Sequence, residues 1–357
     1  MPTPWSDGAA AGAHKHFLPR LFFEALLLAA IMTTTASAKD RIGTIDFFGY
    51  KGFDVERLRA AIPYKEGAPI RLSEKSVRIV RDRVDKALDR LTGGTSTDVG
   101  FVCCDKQGDW EMYIGVRGVS FHELRLNPQP AGRDRLPETA LALYVRYLKE
   151  WARTVSAGNT AEDDSAGYAL SQDAGLRAVE LKMRAWVMEN EDLVLRVLES
   201  SALDEHRTAA AALLGYANPS RKQVAELVTA THDPEDMVRN NATRALGAMA
   251  ASGIQAARDI PAAPFVEMLS SGIWTDRNKG LMVLNSLTEK RGPVIEQLRP
   301  GVESLVEMAG WQCADHSATA AILLGRLAGF DEARIQKSVQ SGQWKQILEA
   351  APTIRRN

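Results

Sequence analysis

Residues 233–250 read DPEDMVRNNATRALGAMA, a turn followed by a helix. Asp233 and Pro234 stop the preceding segment, and Asp236 is placed to cap the next one. Val238, Ala242, Ala245, Leu246 and Met249 then recur at helical spacing. Aligned on Arg239, the same template returns at Arg207 to Gly215, at Arg277 to Asn285 and, without the arginine, at Ser317 to Gly325. Three residues after each anchor stand Ala210, Ala242, Gly280 and Ala320, and seven after it stand Leu214, Leu246, Leu284 and Leu324. Anchors roughly 30 to 40 residues apart have the period of helical-pair repeats.

Packing explains the template. A small residue lets two helices approach, and a leucine one turn on fills the gap between layers. One pair cannot bury its own apolar face, so neighbouring pairs must cover one another. The copies resemble HEAT repeats, whose second helix opens with Asp, then Val-Arg, Ala and Leu-Gly. Asp236, Val238, Arg239, Ala242, Leu246 and Gly247 carry that resemblance, and Asp204 with Arg207 and Asp276 with Arg277 match it more loosely. The resemblance implies a mainly α fold, an armadillo-like α-α superhelix over 138–357, clearest across 191–330. It implies nothing about activity, because a fold does not fix a function.

At 357 residues the chain has room for two domains, and its 45% hydrophobic and 25% charged content is that of an ordinary globular protein. A formal charge of -1 gives no general pull toward nucleic acid or anionic lipid. Lys15 and Arg20 precede an apolar run from Leu21 to Met32, and Ala36, Ser37 and Ala38 supply small residues for cleavage. This pattern predicts a signal peptide over 1–38 and a periplasmic or extracellular destination. The alternative is a retained amphipathic anchor, since the run falls short of the ~20 apolar residues of a spanning helix. After cleavage no stable membrane span is expected. Cys103, Cys104 and Cys313 fit no disulfide framework, and free thiols are expected.

Between the leader and the repeats, 39–118 predict a small α+β module in the order strand, helix, helix, strand, strand. Ile42, Ile45 and Phe47 mark the first strand; Val77, Val80, Val84, Leu88 and Leu91 stripe a helix capped by Ser73. Val99, Phe101 and Cys103 alternate in one strand, and Trp110, Met112, Ile114 and Val116 in the next. This order resembles the POTRA modules of outer-membrane assembly proteins, carried by Ile45, Asp46, Phe47, Phe48, Gly49 and Gly67. Strand addition at the exposed edge of the first strand is what that resemblance implies; the alternative is a cap on the helical array. The proline-rich stretch 119–137 reads as a linker.

No zinc-protease, nucleophile-elbow or phosphate-loop pattern occurs, and the histidines are scattered, so neither a cofactor nor a metal is expected and the chain reads as a non-enzyme. The chemically dense places are the starts of the second helices: Arg239, Asn240, Asn241 and Arg244; Trp274, Asp276, Arg277 and Asn278; Trp311 and His316. Stacked pairs align such positions, and Trp and Arg are the usual anchors of a protein or peptide partner. The competing reading is a ladder that ties layers together and satisfies helix termini. A scaffold that binds a protein partner is therefore the leading expectation. An accessory of envelope assembly is a second, and a chromophore-lyase-like enzyme using His316, Asp315 and Asp276 is a third.

Overall fold

The computed structural model describes residues 41–103, 105 and 108–354. The leader expected over 1–38 lies outside the described residues, and none of the described helices is long and apolar enough to cross a membrane. The protein is mainly helical with a small three-stranded sheet near its N-terminus. Its described residues form two compact units, one from 41–124 together with 262–354, the other from 125–261. This departs from the expected succession of module, linker and array, because the α+β segment shares its unit with the last helical pairs.

In the discontinuous unit, β1 (Ile42–Phe48) is followed by α1 (Val55–Ala61), α2 (Glu74–Thr92), β2 (Val99–Val102) and β3 (Trp110–Gly115). The sheet order is β1-β3-β2, with β1 parallel and β2 antiparallel to the central β3. Asp54 caps α1, and Ser73 with Ser76 closes a capping box on α2. Gly93, at φ 73°, ends α2 in the left-handed conformation that glycine adopts without a Cβ penalty. One face of the sheet buries Ile42, Ile45, Phe47, Phe101, Met112 and Ile114 against Leu58, Val80, Val84 and Leu88 of the two helices. The other face is buried as well, since every residue of β3 is enclosed.

In the continuous unit, α3 (Glu138–Ser156) leads to a two-stranded hairpin of β4 (Glu162–Asp163) and β5 (Leu170–Ser171). Next come α4 (Ala174–Ser200), α5 (Asp204–Leu214), α6 (Arg221–Ala230) and α7 (Asp236–Ser252). The sequence pattern splits α4 into two helices; the structure joins them across a bend at Asn190, whose side chain bonds the Trp186 carbonyl at 2.8 Å. Helix α5 packs on α4 and α7, and α7 packs on α6.

The first unit resumes with α8 (Ala263–Met268), α9 (Trp274–Thr288), α10 (Val302–Ala309), α11 (Ala314–Leu327), α12 (Glu332–Gln340) and α13 (Lys345–Ile354). Here α9 packs on α8 and α11, and α11 on α10, α12 and α13. Each template leucine, Leu214, Leu246, Leu284 and Leu324, is fully buried, as are Ala210, Ala242 and Ala320.

The stretch expected as a linker is tied down. His122 donates its amide to the Ser270 carbonyl in one unit, whereas in the other Asn127 donates to the His232 carbonyl and Gly132 to the Ser200 carbonyl. Each acceptor lies at the C-terminus of a first helix or in the turn after it, where a carbonyl would otherwise lack a partner. Cys103 is disulfide-bonded, contrary to the free thiol expected there, and Cys313 is a half-buried free thiol.

Candidate functional site

The anchor arginines point inward. Arg207 donates to the Ser201 carbonyl at 2.8 Å and forks onto both oxygens of Asp233 at 2.8 and 2.9 Å. Arg239 donates to the Asp233 carbonyl at 2.9 Å. Arg277 donates to the Ser271 carbonyl at 2.6 Å, to the Ser120 carbonyl at 3.1 Å, and stands 3.7 Å from Glu307. Each arginine thus reaches the carbonyl six residues back, folding the loop before its helix onto the helix's first turn. The N-cap of α7 is Glu235 rather than Asp236, and the Glu235 amide is held by Asp233.

The polar strip expected at these helix starts is an internal one. Trp274, Asp276, Arg277, Asn278, Trp311, His316 and Arg239 are all at most 8% exposed. Asn241 is half-buried and donates to the Tyr144 hydroxyl and the Thr208 carbonyl, both at 3.0 Å, while Asn240 bonds Asn241. Arg244 pairs with Glu162 of β4. A side chain enclosed by its own unit has no face left for a partner, so for those seven residues the geometry fits the ladder reading, while Asn240, Asn241 and Arg244 stay half-buried. The lyase-like trio does not converge: Asp315 is exposed, Asp276 is buried against Ser271 at 2.7 Å, and His316 faces β3.

The β1 edge, expected to accept a strand, is taken. Glu66 accepts the Ile45 amide at 3.1 Å, Arg59 donates to the Ile45 carbonyl at 2.6 Å, and Trp311 donates to the Phe47 carbonyl at 3.0 Å. Glu307 accepts the Gly49 amide at 2.8 Å. Side chains have closed the ladder positions that strand addition needs.

The densest chemistry lies where the second face of β3 meets the starts of α9 and α11. Tyr113 stacks on Trp274 and tilts against Trp311, with ring centroids 5.0 Å away in each case. Its hydroxyl is 2.6 Å from His316 Nδ1, and the same nitrogen is 3.1 Å from Glu111 Oε2. Cys313, the N-cap residue of α11, completes a cluster in which one ligating atom each of Glu111, Cys313 and His316 lie within 4.8 Å of one another. Burial pushes the His316 imidazole down, but hydrogen bonds and charges from Cys313 and Glu111 outweigh it and raise its pKa to about 10. Burial likewise pushes Glu111 up, and the His316 hydrogen bond and charge hold it below its usual value. Sequence reading found His316 but missed Glu111, Tyr113 and Cys313. The available signal was the polar phase of β3, where Glu111 and Tyr113 alternate with Met112 and Ile114, and the three-residue step from Cys313 to His316.

A second polar cluster sits in the continuous unit. Tyr147, Gly215, Tyr216, Asn241 and Arg244 line a cavity of ≈ 30 Å³, far below the hundreds of Å³ of a small-molecule site. Nearby, Glu162 Oε2, Glu180 Oε1 and both oxygens of Asp164 lack hydrogen-bond partners. Burial raises Glu180 to about 7 and Asp164 to about 6, the latter helped by the charge of Glu162.

No protein-family model matches the chain, and no curated protein matches it.

Proposed function

We propose that this chain is an exported, non-catalytic binding scaffold built from HEAT-like helical pairs, and that its partner docks an amphipathic helix on α4. The observation that carries the docking face is a stripe along that helix. Ala174, Ala178, Leu181, Ala185 and Met188 are all exposed, Leu181 by 46% and Met188 by 41%. Their spacing alternates between four and three residues, the seam against which a second helix packs knobs into holes. Arg177 and Lys182 flank the first half of the seam, and Glu189 and Glu191 the second. A partner helix would set acidic residues beside the former and basic ones beside the latter. The inward arginines support the same reading: they hold the layers rigid, so α4 is presented without an ordering cost.

Photoreactive residues placed singly at Leu181, Ala185 and Trp274 of the full chain, in intact cells, test this reading. Positions 181 and 185 should give one discrete cross-linked species with a second protein, lost on Met188→Lys, and position 274 should give none. Cross-links at 181 only to the chain's own N-terminal residues, or only to a second copy, overturn the partner helix.

A further inference from the structure

We propose that Glu111, Cys313 and His316 form a zinc site that fastens the central strand of the sheet to the start of α11. The three side chains supply oxygen, sulfur and nitrogen, the mixed set that a tetrahedral Zn²⁺ accepts. With Zn–S near 2.3 Å and Zn–N or Zn–O near 2.0 Å, ligand atoms in a tetrahedron stand about 3.3 to 3.5 Å apart. The His316 Nδ1 to Glu111 Oε2 distance is 3.1 Å, and the three ligating atoms all lie within 4.8 Å. Small side-chain rotations therefore close the site.

Three features separate this cluster from an ordinary buried ion pair. A Glu–His pair needs no thiol, yet Cys313 brings one into the same space, one helical turn from His316 and on the same face. The ligands rest on rigid supports: Glu111 is paired on both sides in the sheet, Cys313 is the N-cap of a 14-residue helix and His316 lies in its first turn. The Tyr113 hydroxyl stands 2.6 Å from His316 Nδ1 and 3.4 Å from Glu111 Oε2; with an ion on Nδ1 it gives up the first contact and remains an outer partner of the Glu111 carboxylate. Cys313 is half-buried while Glu111 and His316 are enclosed, so an ion would reach the cluster from the thiol side. As ligands, a thiolate from Cys313 and a carboxylate from Glu111 would balance the ion's two charges, with a neutral imidazole from His316 as the third donor.

Cobalt(II) serves as the spectroscopic probe, titrated into chelator-treated full chain. One equivalent should produce a thiolate-to-cobalt charge-transfer band, abolished by one equivalent of zinc. Cys313→Ser should abolish the band with an unchanged circular-dichroism spectrum. Tyr113→Phe should weaken zinc about 10- to 100-fold, and Glu111→Gln by more. Independently of any variant, zinc should protect Cys313 of the wild-type chain from iodoacetamide, read by peptide mass. A missing band, a band that survives Cys313→Ser, or alkylation of Cys313 at the same rate with and without zinc overturns the site. Should Cys313→Ser fail to fold, the alkylation result on the wild type decides.

Discussion

Arg207 is fully buried, and its guanidinium answers both Asp233 oxygens and a loop carbonyl. Arg207→Ala would strand the Asp233 carboxylate in a dry setting, with an expected loss of about 3–5 kcal/mol. Urea denaturation of Arg207→Ala, Asp233→Ala and the double variant measures this. The double loss should be smaller than the sum of the singles; strict additivity would mean that the pair does not act as a unit. Glu180 makes the opposite contribution. Its folded pKa, about 7, lies above the ordinary 4.5, so between those values the folded state holds more protons than the unfolded one. Stability therefore falls as pH rises from 4.5 through about 7, by at most about 3 kcal/mol. Glu180→Gln should flatten that decline, and thermal midpoints across this range should show it; an unchanged slope would assign the titration elsewhere.

Among the elements, the second helices are where the residue pattern spoke most clearly. Gly280 stands at the small position of α9, where an added Cβ would meet the Phe265 carbonyl at 2.9 Å and the Met268 Cβ at 3.0 Å. Gly280→Val should cost about 1–3 kcal/mol through overpacking, read as a lower denaturation midpoint; a stabilised variant would show that α8 can move aside. The alternation of α2, β2 and β3 was equally legible, because an apolar core face leaves a periodic trace. The second face of β3 was not. Glu111 and Tyr113 look like solvent-facing residues until a helix start is laid against them, and that partner comes from more than 150 positions later, as the Tyr113 and His316 pair, 203 residues apart, shows. The anchors Arg239 and Arg277 were found by their recurrence, but recurrence is blind to direction: an arginine tying a loop and one awaiting a partner leave the same mark. The apolar seam of α4 escaped notice because alanine counts as core filler in a helical pattern.

At the scale of the molecule, Glu307 is the residue on which the discontinuous unit converges. It accepts the Gly49 and Lys51 amides at 2.8 Å and the Ser120 hydroxyl at 2.5 Å, while standing beside Arg277. Glu307→Ala would take the acceptor from the Gly49 amide and the Ser120 hydroxyl and the Glu307 charge from beside the buried Arg277 guanidinium. Hydrogen exchange should then accelerate throughout 41–124 and 262–354, leaving 125–261 comparatively protected. Loss confined to α10 would show that the two segments do not open together.

That unit is interrupted in sequence by the whole of 125–261. During synthesis its sheet leaves the ribosome with one side bare, and the cover for Glu111 and Tyr113 arrives only after the other unit has been made. Such a chain completes its fold after translation rather than along with it, so the nascent half-sheet is where a holdase should be found.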